Sequence, residues 1–248
     1  MNSLKINLAQ IRERIAAAAT RAGRSPDDIT LVAVGKTHPA ETIAAAYHEG
    51  LRHFGENRVE EARTKIPQVR ELLAQAGLSL QPSWHMVGHV QSRKASTVRD
   101  LFDMLHSLDS VKLARKLSRH CQESTRLMPV LLEMNVSGEE SKHGFRADEY
   151  EDDPTQWEAL LASVSEILSL PGIEVQGLMT MAPLVADPEQ ARPFFARLRA
   201  LREELAKHFP KCSWKHLSMG MTDDFEVAVE EGATILRIGR AIFGSRQR

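Results

Sequence analysis

The residue best placed to do chemistry is Lys36. It follows the β-branched run Ile29-Thr30-Leu31-Val32-Ala33-Val34 and Gly35, a pattern that reads as a buried parallel strand and its turn. A lysine at the mouth of such a strand is partly desolvated, which lowers its pKa toward the neutral amine that can form a Schiff base. The same side chain could instead snorkel from the rim into water. Gly35-Lys36-Thr37 is not a nucleotide-binding P-loop, because that motif needs a glycine at the position held by Thr30. His85 and His89 have the spacing of metal ligands on a helix, but they flank a strand end at Gly88 and no third ligand follows at suitable spacing, so no metal is expected.

Eight strand-like runs can position these groups. After 29–34 they are Arg52–Gly55, Trp84–Gly88, Phe102–Ser107, Pro129–Val136, Glu174–Leu178, Lys215–Leu217 and Thr234–Arg237. Helical periodicity falls between them, over Pro39–Glu49, Glu56–Leu73, Val111–Cys121, Trp157–Leu168, Pro188–His208 and Asp223–Glu231. Leu4, Leu8, Ile11, Ile15 and Ala18 form one stripe of an additional N-terminal helix. The alternation over 248 residues predicts a single α/β domain spanning 1–248, a (β/α)8 TIM barrel, with an open doubly wound sheet as the competing arrangement.

In a barrel, functional groups gather where strands end, and the loops after strands seven and eight commonly hold phosphate. Here those loops carry Ser218, Met219 and Gly220, then Arg237 and Gly239. They offer a hydroxyl, main-chain N–H groups, close backbone approach and a fixed cation. Asp223 and Asp224 open the following helix and would repel an anion, so the anion is expected on the loop and the end of the eighth strand. A lysine facing a phosphate cup suggests pyridoxal 5′-phosphate (PLP) as cofactor. Taken alone, Ser218-Met219-Gly220 could equally be a plain turn and Arg237 a surface ion pair.

Composition limits the partners. Lys and Arg total 32 against 33 Asp and Glu, so no chain-wide basic field exists to hold nucleic acid or an anionic membrane. The two cysteines, Cys121 and Cys212, have no ligand or redox spacing. The opening residues, broken by Lys5, Gln10, Arg12, Glu13 and Arg14, lack a signal-peptide apolar core. A cytoplasmic, monomeric protein is expected. The acidic stretch 148–154 reads as a solvated connection.

Nearly the whole chain resembles the pyridoxal phosphate homeostasis protein family, single-domain relatives of the alanine racemase barrel. The resemblance is carried by Val34-Gly35-Lys36-Thr37-His38-Pro39, Phe54-Gly55-Glu56-Asn57-Arg58-Val59-Glu60-Glu61, Trp84-His85-Met86-Val87-Gly88-His89-Val90-Gln91, the 135–144 segment that opens Asn135-Val136-Ser137-Gly138, Gly177-Leu178-Met179-Thr180-Met181-Ala182-Pro183, and Leu217 to Phe225 continued by Arg237-Ile238-Gly239. It implies that Lys36 holds PLP as a Schiff base, that Asn57 lies beside the ring, and that Ser218, Arg237 and Gly239 with neighbouring amides hold the phosphate. Ser137 and Met179 would line the pocket. Gly35 replaces a residue that is often serine, and Arg240 stands where many relatives carry a small hydroxylated residue.

The resemblance also implies intracellular PLP homeostasis by a non-catalytic carrier, with apo PLP-dependent enzymes as transient acceptors. The alternative is a PLP-dependent amino-acid racemase. Two-base racemisation needs a second acid/base opposite the lysine, a tyrosine from a further domain in alanine racemases. Only Tyr47 and Tyr150 are present here, one in the first helix after Lys36 and one in the acidic stretch.

Overall fold

The computed structural model describes residues 2–124 and 126–244. Its strands are β1 (Thr30–Val34), β2 (His53–Glu56), β3 (Ser83–Met86), β4 (Met104–Leu108), β5 (Met128–Asn135), β6 (Phe145–Arg146), β7 (Ile173–Met179), β8 (His216–Ser218) and β9 (Ile235–Ile238). They pair in parallel in the order β4-β3-β2-β1-β9-β8-β7-β5, and β4 also pairs with β5, which closes an eight-stranded barrel. The eight expected strands are these eight, with bounds displaced by a residue or two. Two elements lack a readable signal. The two-residue β6 pairs alongside β5 outside the ring, and α4 (Ala95–Leu101) is too short to show helical periodicity.

The remaining helices are α1 (Asn2–Arg21), α2 (Ala40–His48), α3 (Val59–Gln75), α5 (Val111–Ser124), α6 (Pro154–Ser169), α7 (Arg192–His208), α8 (Phe225–Glu230) and α9 (Arg240–Phe243). Their starts follow local chemistry. Asp153 accepts the Thr155 amide and Pro154 occupies the first turn of α6, so the acidic stretch supplies a helix cap as well as a connection. Helix α1 lays Leu8, Ile11, Ile15 and Ala18 against the barrel's outer layer, and Asn7 donates to the Ile242 carbonyl at 3.0 Å.

Strand alternation divides the core. Outward residues such as Ala33, Phe54, Trp84, Leu105, Leu132, Leu178, Leu217 and Leu236 join the helices in one large apolar cluster. Phe54 and Trp84 meet there at 5.7 Å between ring centroids, within the range where aromatic pairs add ~0.5–1.5 kcal/mol beyond burial. Inside the barrel a separate small cluster joins Val32, Met104, Leu131, Met179 and Ile235. One pleat further along their strands stand His106, Glu133 and Arg237, all buried. The apolar cluster is thus a floor, with a polar layer above it toward the mouth.

Two glycines let the mouth loops approach neighbouring segments closely. A Cβ on Gly88 would lie 2.2 Å from the Asn57 carbonyl oxygen, and one on Gly220, at φ +90°, would meet Ala228 at 2.6 Å. The Gly88 segment is also held by the Ser107 hydroxyl, which donates to its carbonyl at 2.6 Å. Gly88→Ala is expected to cost about 1–3 kcal/mol, because the obstructing atoms belong to backbone that cannot rotate away. Thermal unfolding of the variant checks this.

Candidate functional site

Lys36 lies in the turn after β1, half-buried at the C-terminal mouth. The next residue, Thr37, has φ +67°, a conformation that a β-branched side chain rarely adopts. Local polar contacts hold it. The Thr37 amide donates to Glu61 Oε1 at 2.6 Å. Buried Lys65 donates to the Gly35 carbonyl at 2.8 Å, to Glu56 Oε1 at 2.8 Å and to Glu61 Oε1 at 2.6 Å. This clamp fixes the backbone on both sides of Lys36. Burial pushes the Glu56 carboxyl up to about 7 against the opposing pull of Lys65. Glu56 and Glu61 lie within the segment that carries the family resemblance, but Lys65 does not, and only the fold shows that the three converge.

The eighth-strand loop meets the end of β1 directly. A Cβ on Gly239 would lie 3.0 Å from the Val34 carbonyl oxygen, two residues before the lysine. His38 and Phe243 pack their rings at a tilt with centroids 5.0 Å apart, tying the lysine turn to α9. On the other side of the cup, Thr222 Oγ1 accepts the Ala241 amide at 3.4 Å, and Arg240 pairs with Asp223 at 2.6 Å. Arg240 therefore joins the two cup loops from the solvent side.

Arg237 and Ser218 lie deeper, in the barrel interior. Arg237, only 5% exposed, donates to Ser218 Oγ at 2.6 Å and to the Thr180 carbonyl at 2.9 Å. Both acceptors are neutral. Among the described residues no carboxylate lies within ion-pair distance of it, although Asp224 and Glu133 act on it through space. Burial lowers its pKa to about 10, which leaves it charged at neutral pH.

From Ser218 a chain of imidazoles crosses the interior. Ser218 Oγ is 2.9 Å from His106 Nδ1, His106 Nε2 is 2.9 Å from His85 Nδ1, and His85 Nε2 is 3.0 Å from His53 Nδ1. Burial holds all three well toward the neutral form, His85 down to about 3, with Arg237 adding to the effect at His106. A guanidinium can only donate, so the Ser218 hydroxyl can donate onward and three neutral rings can pass donors in one direction to His53. His85 is thereby an interior link in a hydrogen-bonded chain. Spacing along the sequence could not reveal this, because its partners come from β2 and β4.

The other expected site residues are spread around the mouth. Asn57 is exposed after β2, against Gly88. Ser137 is half-buried after β5, where its amide and hydroxyl both donate to Asn135 Oδ1 at 3.2 Å and its hydroxyl accepts from Lys142 at 3.2 Å. Met179 is fully buried in the apolar floor, and Met219 is buried in the outer cluster beside Gly220. Both tyrosines belong to the outer apolar cluster. Tyr47 is buried in the outer layer and donates to the Leu80 carbonyl at 2.9 Å, while Tyr150 donates to Glu151 at 3.1 Å.

Comparison with known proteins places the chain in a family. The family model for the alanine racemase N-terminal domain matches residues 6–247. The pyridoxal phosphate homeostasis protein of Escherichia coli strain K12 is 41% identical over 249 residues, covering 99% of this chain and 98% of that protein. That of Aquifex aeolicus is 38% identical over 240 residues, 97% of each. The chain belongs to the pyridoxal phosphate homeostasis protein family. PipY of Synechococcus elongatus, solved with PLP bound, superposes with a TM-score of 0.77 at 35% identity, covering 94% of this chain and 100% of that one. Among the described residues no helix is long and apolar enough to cross a membrane.

Glu133 gives this family member a pH signature. Its carboxyl is buried, with Oε2 unpartnered among the described residues, and burial together with Asp109 pushes it up to about 7. Between its unfolded pKa of ~4.3 and about 7 the folded chain binds the extra proton, so this group's contribution to stability is lost as pH rises through that window. Glu133→Gln should therefore stabilise the protein at pH 8, on the order of 1–3 kcal/mol, and change little at pH 4. Denaturant unfolding at both pH values tests the difference.

Proposed function

We propose that this chain is a carrier that holds PLP on Lys36 for intracellular PLP homeostasis, rather than an amino-acid racemase. The observation that carries the reading is the buried Arg237 cation, which among the described residues has no contact counter-ion and lies below loops that meet the lysine turn. Burying an uncompensated charge is costly, so a site built this way is suited to an anionic ligand. The neutral imidazoles and the raised carboxyl of Glu133 leave that cation dominant in the interior around neutral pH.

The residues fit the cofactor. When bound, PLP supplies an aldehyde carbon that a primary amine captures reversibly, and Lys36 Nζ is the amine at the mouth. Ser218, Met219, Gly220, Arg237 and Gly239 would hold the phosphate, where Gly220 and Gly239 admit backbone that a side chain would exclude. Asn57 and Ser137 would border the ring from the β2 and β5 loops, and Met179 would support it from the floor. The Lys65 clamp orients Lys36 by fixing Gly35 and Thr37, and so favours retention.

Retention without turnover is supported by where the two tyrosines stand. Racemisation needs a base on each face of the substrate Cα, and the hydroxyls of Tyr47 and Tyr150 are both committed in the outer layer. In this reading the carrier works in the cytoplasm as a monomer and passes PLP to apo PLP-dependent enzymes.

Borohydride reduction of the PLP-loaded protein followed by peptide mapping should place the pyridoxyl group on Lys36, and label elsewhere would overturn the assignment. With L-alanine in deuterated water, the loaded protein should give no more Cα exchange than Lys36→Ala. Stereoinversion on the order of 1 s⁻¹ or faster would favour the racemase.

Arg237→Ala should weaken PLP retention roughly tenfold to a hundredfold, the loss of one charge-assisted contact. Pyridoxal, which lacks the phosphate, should bind both proteins alike if Arg237 serves the phosphate. Equal loss of both ligands would move Arg237 to the ring.

A further inference from the structure

His89, Asp109 and His143 are far apart in sequence and belong to three different mouth loops, after β3, after β4 and between β5 and β6. The fold brings one ligand atom from each within 4.8 Å of the others. His89 Nδ1 lies 2.8 Å from Asp109 Oδ2, and the imidazoles of His89 and His143 stack with centroids 3.9 Å apart and planes inclined by 14°. We propose that these three residues form a binding site for a first-row divalent transition-metal ion such as Zn2+, separate from the Lys36 pocket.

The donor chemistry fits that class. Two imidazoles and one carboxylate are borderline ligands that suit Zn2+, and three protein ligands leave a fourth tetrahedral position for water or a small donor. Asp109 is already oriented. Its Oδ1 accepts the Ser110 hydroxyl at 3.1 Å while Oδ2 faces His89, a supporting contact of the kind that positions metal-binding carboxylates. The two imidazoles are solvent-exposed, so rotations about their side-chain bonds can bring the donors to the ~3.4 Å spacing required by Zn–N bonds of ~2.1 Å.

The surrounding charge also favours a cation. Glu133 is 4% exposed, its Oε2 has no hydrogen-bond partner among the described residues, and repulsion from Asp109 adds to burial in raising its carboxyl. A divalent ion on Asp109 would relieve that repulsion. The nearest competing cation in the loop, Lys142, is paired with Glu139 at 3.1 Å. Occupancy would cross-link three loops on the side of the mouth that carries Ser137. The sequence reading could not find this set, because none of its spacings resembles a metal motif.

The test uses the full chain, stripped of metal with EDTA and titrated calorimetrically with ZnCl2, with and without PLP. One site per chain is expected in both states. Its affinity should fall at least tenfold in His143→Ala and in Asp109→Asn, since even outer-shell losses at metal sites cost 10–100-fold. Replacement by Co2+ should give a visible ligand-field band that disappears in His143→Ala, while circular dichroism shows that this exposed substitution leaves the fold intact. Zn2+ binding that is absent, or unchanged in His143→Ala, would overturn the proposal. Binding that is lost in Lys36→Ala but retained in His143→Ala would also overturn it, by assigning the ion to the cofactor pocket.

Discussion

Everything at the mouth depends on the inward-outward alternation of eight parallel strands held in register around a closed ring. Once β4 pairs with β5, residues at every second position have nowhere to go but the interior. Register then decides who meets whom. Val32 stands beside both His53 and Arg237, His85 beside Met104, and Met179 beside both Glu133 and Ser218. A shift of one residue in any strand would turn an interior polar group into the apolar layer beneath the helices.

The interior is an unusual mixture for a barrel that must also fold. Its apolar floor is small, and an arginine, a glutamate and a line of histidines share the interior with it. Polar burial of this kind is tolerated because almost every group has a partner, and because the imidazoles shed their charge. Most of the apolar burial instead lies between sheet and helices, in the larger cluster. Stability and site chemistry are thereby assigned to opposite faces of the same strands.

The lysine turn shows a second division of labour. Thr37 is held in a sparsely populated conformation by Glu61, and Glu61 and Glu56 are in turn joined through Lys65. Breaking a buried ion pair by removing one partner typically costs ~3–5 kcal/mol. The cluster therefore couples the geometry of the mouth to the integrity of α3 and β2. An amine kept in place by its own backbone needs no ligand to organise it, which suits a site that binds and releases.

The chemical types were legible in the sequence. The alternation of strand and helix, Lys36 at a strand end, and the Ser218-Met219-Gly220 and Arg237-Ile238-Gly239 loops are local patterns of period two, period 3.6 and turn composition. Local patterns survive without a partner. What only the tertiary structure decided were relations across strands: that Arg237 donates inward to Ser218 and Thr180, that His53, His85 and His106 form one chain, that Lys65 reaches Gly35, and that His89, Asp109 and His143 converge. Each joins residues from separate elements. Their proximity is set by barrel closure and register, quantities that no single stretch of sequence encodes, because they depend on the pairing of all eight strands at once.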